Sequence, residues 1–286
     1  MHLLLAALVA SASALSTPVV GVLEDPQCKD GAPRAIRPLF AKSQGAWEPL
    51  TSEEVARPLL QSNMTWSAVR GGKTLTNLRS GEVPRLSAPA WTYPRDYLLA
   101  TGVGDALPEA PNKSKQFMGW CAAPVHNPVA LVSPDSAADP DRWAPLQIET
   151  RVRETLYDGF RMSIGSKKLC YDEEDNVSEP YNFAAKDLRI LQSLGSQRGH
   201  TLVAVTLVED YTECQSELGG ASTPRWFLLD GKTTFLGEGL EFVDSGDYDG
   251  DGMSEVLFWY SGYNRDGYVL FSRAFKDRAE FLWSYH

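Results

Sequence analysis

Four carboxylates fall within nine residues, in the run Asp247-Tyr248-Asp249-Gly250-Asp251-Gly252-Met253-Ser254-Glu255. Gathered into one tight turn without a counter-ion, they would repel one another strongly. Such a run folds most readily around a hard, oxygen-seeking cation. Calcium takes six to eight oxygens in flexible geometry, and it suits side chains at positions 1, 3 and 5 with a backbone carbonyl at position 7. Those positions hold Asp247, Asp249, Asp251 and Met253. Gly250 and Gly252 permit the backbone conformations that a sharp loop needs. An EF-hand would place a bidentate Glu at position 12 and a helix on each side. Phe258 stands at position 12, so Glu255 at position 9 has to close the set. The alternative is an acidic surface turn with no bound ion. If calcium binds, the ion reads as a structural staple, because no spare acid, base or His lies nearby to use an open coordination position.

The flanks read as strands. Leu240-Glu241-Phe242-Val243 precedes the loop and Val256-Leu257-Phe258-Trp259-Tyr260 follows it, both short, apolar and rich in aromatic or β-branched residues. A D-x-D-G-D-G-x-x-E loop between two strands resembles the calcium loop of FG-GAP and VCBS-type repeats, which form blades of β-propellers such as the integrin head. The resemblance covers residues 247–255 and runs loosely to the C-terminus. It implies Asp247, Asp249, Asp251, the Met253 carbonyl and Glu255 as ligands to Ca2+, and a propeller-like fold. The family's usual closing residue is Asp, so Glu255 is a departure.

A chain of 286 residues with 43 % hydrophobic content can bury one large β domain or two smaller ones. A net charge of −10 disfavours nucleic acid and anionic membrane surfaces as partners. Residues 3–10 form an apolar run, followed by Ser11-Ala12-Ser13-Ala14, which reads as a secretory signal cleaved after Ala14. No segment reaches the length of a transmembrane helix. The expected compartment is extracellular or periplasmic. There Cys28, Cys121, Cys170 and Cys214 would pair, one bridge in each half being the simplest of three pairings. Zinc is the rival reading, without a C-x-x-C pair to support it.

Further strands are expected at Val19–Leu23, Ile36–Leu39 and around Trp47, with a turn at Ser43-Gln44-Gly45. Thr51-Ser52-Glu53-Glu54 has the form of a capping box. Trp66 to Leu75 reads as a hairpin turned at Gly71-Gly72, and this disposes of Gly72-Lys73-Thr74 as a phosphate loop. Short apolar runs at Tyr97–Ala100 and Val129–Val132 follow, then a lobe boundary near residue 150. Beyond it, Phe160–Ile164, Leu188–Leu191 and Thr201–Val208 read as strands, although the spacing over Asn182–Leu194 fits a helix equally. Trp226–Leu229 leads into an Asp230-Gly231 turn. The last strands are expected at Tyr268–Phe275 and Glu280–Tyr285, with a turn near Lys276-Asp277-Arg278. Trp66…Gly72-Lys73-Thr74 loosely echoes Trp226…Gly231-Lys232-Thr233.

The expected fold is mainly β: propeller-like or sandwich-like antiparallel meanders with few short helices. The domains are a signal peptide over residues 1–14, an N-terminal β lobe over 15–150 and a C-terminal β lobe with the calcium blade over 151–286. No H-E-x-x-H helix and no G-x-S-x-G elbow is present. His126 beside Cys121 could form a nucleophile pair, but a disulfide is the simpler use of Cys121. His200 falls in a predicted turn, in solvent. Asn63, Asn112 and Asn176 open N-x-S/T sites. These features point to a secreted, non-enzymatic binding module for a protein or carbohydrate ligand. The alternative is a calcium-stabilised extracellular hydrolase, with carbohydrate as one possible substrate.

Overall fold

Residues 256–259 have no polar face: Val256 and Phe258 point one way, Leu257 and Trp259 the other, and all four are buried. A strand apolar on both faces has to be covered on both sides. A computed structural model describes residues 17–24, 35–51, 64–80, 98–102, 128–134, 138–148, 152–164, 183–207, 223–263 and 265–284. In it this strand lies in the middle sheet of three. The residues of the predicted signal, all four cysteines, the capping box beyond Thr51, His126 and the three glycosylation asparagines lie outside the described residues.

The middle sheet is the expected C-terminal meander, β13 (Leu240–Gly246), β14 (Glu255–Gly262), β15 (Arg265–Ser272) and β16 (Asp277–Ser284), antiparallel in sequence order. On one side lies a seven-stranded sheet built from β1 (Val19–Glu24), β2 (Ala35–Ser43), β3 (Ala46–Pro49), β4 (Thr65–Arg70), β5 (Lys73–Ser80), β6 (Leu98–Gly102) and β7 (Val129–Ser133). Its order is β1-β7-β4-β5-β6-β2-β3, and β1 also pairs with β2, so the sheet curls back on itself. On the other side lies a five-stranded sheet in the order β12-β11-β10-β9-β8, from β8 (Ala144–Pro145), β9 (Leu188–Gly195), β10 (Thr201–Leu207), β11 (Arg225–Leu229) and β12 (Thr233–Glu238).

Alternation along the strands assigns each face. Leu257, Trp259, Tyr268 and Leu270 pack with Val20, Val22, Phe40 and Trp47 of the first sheet. Val256, Phe258, Val269 and Phe271 pack with Leu202, Ala204, Trp226 and Leu228 of the second. The Trp226 and Phe258 rings meet edge to face at 5.1 Å, and the Trp226 indole N–H donates to the Leu240 carbonyl at 2.8 Å. Burying aromatics of this size contributes roughly 1.5–3 kcal/mol per side chain. The middle sheet therefore holds the stack together.

The second sheet's outer face carries the one α-helix among the described residues, α1 (Val152–Ile164). This corrects the strand expected at Phe160–Ile164. Five residues were too short a window to reveal the period. Extended backwards, the buried residues Leu156, Phe160 and Ile164 recur every fourth position, which is a helix face. They pack on Val203, Val205, Leu207 and Phe227. The ambiguity over Asn182–Leu194 resolves into a short 3-10 turn at Ala185–Asp187 followed by β9. The strand expected to reach Phe275 ends at Ser272, because Arg273, Ala274 and Phe275 form a turn with left-handed φ angles of 51°, 54° and 64°. The two echoing tryptophan segments both form hairpins, β4–β5 and β11–β12, in different sheets.

Candidate metal centre

The loop between β13 and β14 spans residues 247–254. Both Asp247 oxygens are taken by the loop's own backbone: Oδ1 accepts from Asp251 N at 3.0 Å and Oδ2 from Gly252 N at 3.0 Å. Gly250 and Gly252, at φ of 77° and 85°, make that wrapping possible without strain. Tyr248 N donates to Glu255 Oε2 at 2.8 Å, which ties the start of the loop to its end. The result is a group of three carboxylates, Asp247, Asp249 and Glu255, each offering an oxygen within 4.8 Å of the others. Asp251 lies outside that group. It is exposed, and its Oδ1 accepts from Met253 N at 2.8 Å. Met253 is half-buried in the same turn.

Other elements clamp the loop from both sides. From the first sheet, Lys42 Nζ lies 2.5 Å from Asp249 Oδ2 and 5.2 Å from the centre of the Trp47 ring. From the β9–β10 turn, Arg198 pairs with Asp141 and donates through Nη2 to the Gly252 carbonyl at 2.8 Å. Residues 138–143, between β7 and β8, form the third support. Asp247 N donates to the Ala138 carbonyl at 2.7 Å, and Asp139 accepts from Ser254 Oγ at 2.5 Å and Ser245 Oγ at 3.2 Å. The β4–β5 turn closes over the same place. Gly71 N donates to Asp244 Oδ1 at 2.7 Å, and a Cβ on Gly72 would stand 2.7 Å from Asp139. The acidic loop is thus a meeting point of all three sheets.

Its electrostatics are those of a crowded, dry anion cluster. Glu255 is wholly buried. Burial first, and the Asp249 charge second, push its pKa from 4.5 up to about 8, against the opposing pull of the Tyr248 N–H, the Trp47 indole and Lys42. Asp247 is also raised, by burial before its acidic neighbours, with the N–H groups of Gly252 and Gly250 acting in the opposite sense. Beneath the loop, burial raises Asp244 to about 6. It accepts from the buried Tyr248 hydroxyl at 3.3 Å, and burial keeps that phenol neutral by raising its pKa well above 10. Glu255 Oε1 makes no close hydrogen bond, although the Trp47 indole is near enough to favour the charged form. A buried carboxylate oxygen left unpaired is costly unless a cation meets it. Asp247, Asp249 and Glu255 could together hold a metal ion through their carboxylate oxygens.

No family model matches the chain, and neither a curated protein nor a solved structure is significantly similar to it. The site therefore rests on its own geometry. Three of the sequence-predicted ligands are brought together and Asp251 is not. Lys42, Trp47, Asp139 and Arg198 were not singled out by the sequence, because each reaches the loop from another sheet or connection and no local pattern marks it. His200, expected in solvent, has a side chain only 15 % exposed, with Nε2 3.6 Å from an Asp230 oxygen.

Proposed function

We propose that the chain binds calcium at Asp247, Asp249 and Glu255 and uses the ion as a staple between its β layers. On this reading the protein is a non-enzymatic, secreted binding module for a protein or carbohydrate ligand. The observation that carries the metal is the three-carboxylate group at the meeting point of the sheets, with a wholly buried Glu255 whose Oε1 makes no close hydrogen bond. The position of the loop, joining the first two strands of a four-stranded meander, supports reading β13–β16 as a propeller-type blade related to FG-GAP and VCBS repeats.

Calcium should be preferred over magnesium. The smaller ion demands near-ideal octahedral geometry and gives up its water reluctantly, and a loop already fixed by its own backbone bonds cannot close to meet it. The test is a thermal melt with calcium, with magnesium and with chelator. A calcium-specific rise of several degrees supports the site. Identical melts in all three conditions would reject it and leave the run as an acidic turn neutralised by Lys42.

A further inference from the structure

The acidic loop already holds one cation, and it belongs to the protein. Lys42 and Trp47 are cross-strand partners in the β2–β3 hairpin. The indole lies under the ammonium, which reaches over to Asp249 Oδ2 with only 15 % of the lysine side chain exposed. Asp249 is one of the three carboxylates of the group, and its side chain is 5 % exposed. Glu255 is wholly buried beside it, and its Oε1 makes no close hydrogen bond, with the Trp47 indole as the nearby donor.

We infer that Lys42 and a divalent cation are alternative occupants of this loop, so that calcium binds by displacing the Lys42 ammonium from Asp249. The inference rests on the calcium reading above and adds its regulation. An ammonium and a calcium ion compete for this carboxylate group, because two positive charges a few ångströms apart in a buried site repel strongly. One ammonium neutralises one carboxylate, whereas a divalent ion can meet all three. The displaced lysine has somewhere to go. Its side chain already reaches solvent, being 15 % exposed, so the ammonium can be rehydrated there once it leaves Asp249. Cation loading is then coupled to release of the β2–β3 hairpin's ionic tie to the middle sheet. The ion bound in its place maintains the junction, and in low calcium the lysine maintains it instead.

The experiment is a terbium(III) titration of the full chain, read by emission sensitised through Trp47 and reversed with calcium, for the native protein, Lys42→Met and Lys42→Arg. Removing the competitor raises the fraction of loops open to the ion, so Lys42→Met should tighten calcium binding roughly tenfold or more, while Lys42→Arg stays within a few-fold of native. Equal or weaker binding by Lys42→Met overturns the inference and leaves the calcium site standing. Absence of binding in native protein and variants alike overturns both. A second measurement needs no variant. Acylation of Lys42 in the native protein, followed by mass spectrometry, should run faster in calcium than in chelator. Equal or slower labelling in calcium overturns the displacement.

Discussion

Replacing Glu255 with glutamine removes a carboxylate that is wholly buried at the start of β14. In the cation-free protein its pKa is raised from 4.5 to about 8, by burial more than by Asp249. The native state therefore holds that proton more tightly than the unfolded chain does. The stability this contributes is complete below pH 4.5 and is lost as the pH rises through about 8. For one group with these limits, the loss between pH 5 and pH 9 is about 4 kcal/mol, most of it below pH 8. Glutamine keeps an oxygen to accept the Tyr248 N–H and carries no charge, so its profile lacks this slope. Asp244, raised to about 6, adds a slope of the same sign to both proteins, and the difference between the two curves isolates Glu255. The assay is urea denaturation in chelator at intervals from pH 5 to pH 9. The native protein should lose about 4 kcal/mol relative to Glu255→Gln across that range. Parallel curves would refute a dry, charge-crowded Glu255 and remove the electrostatic argument for the site. In calcium the native slope should flatten or reverse, because ligation holds the ionised form.

Two further perturbations probe how the loop is held. Arg198→Ala removes the tie to Asp141 and the bond to the Gly252 carbonyl; with the arginine side chain 48 % exposed the ion pair itself contributes little, so the cost in chelator should be about 1 kcal/mol. The same variant should show a reduced calcium-induced rise in melting temperature, and an unchanged rise would mean the β9–β10 turn does not brace the loop. Phe258→Ala opens a cavity between the middle sheet and Trp226, and denaturant unfolding should show a loss of about 3–5 kcal/mol. A loss below about 1 kcal/mol would contradict the placement of β14 in the centre of the stack.

What the sequence disclosed was what is local along the chain. Asp230-Gly231 announces a hairpin turn through its own chemistry, and the strands flanking it are where their β-rich composition puts them. The nine-residue acidic run carries its carboxylate spacing within itself, and the backbone bonds to Asp247 follow from two glycines inside that same run. The two apolar faces of β14 require two coverings, although nothing in that strand says which sheets supply them. Helix α1 was missed because its stripe, Leu156, Phe160, Ile164, becomes visible only across three turns.

The charges around the loop show why the remainder was illegible. A carboxylate cluster fixes its own demand for positive charge, and that demand can be read from the spacing of Asp247, Asp249 and Glu255 alone. What meets the demand is set by tertiary structure. Lys42 arrives from a hairpin near the other end of the chain, and Arg198 arrives from a turn of a different sheet. Neither stands in a pattern that distinguishes it from a solvated surface residue. The lysine changes the meaning of the motif. On the proposed reading, a loop without an internal counter-ion would depend on calcium to fold at all, whereas a loop that begins with an ammonium on Asp249 would persist without the ion and respond to its arrival. Reading the acidic run as a plain staple therefore leaves out the competitor that would set its affinity.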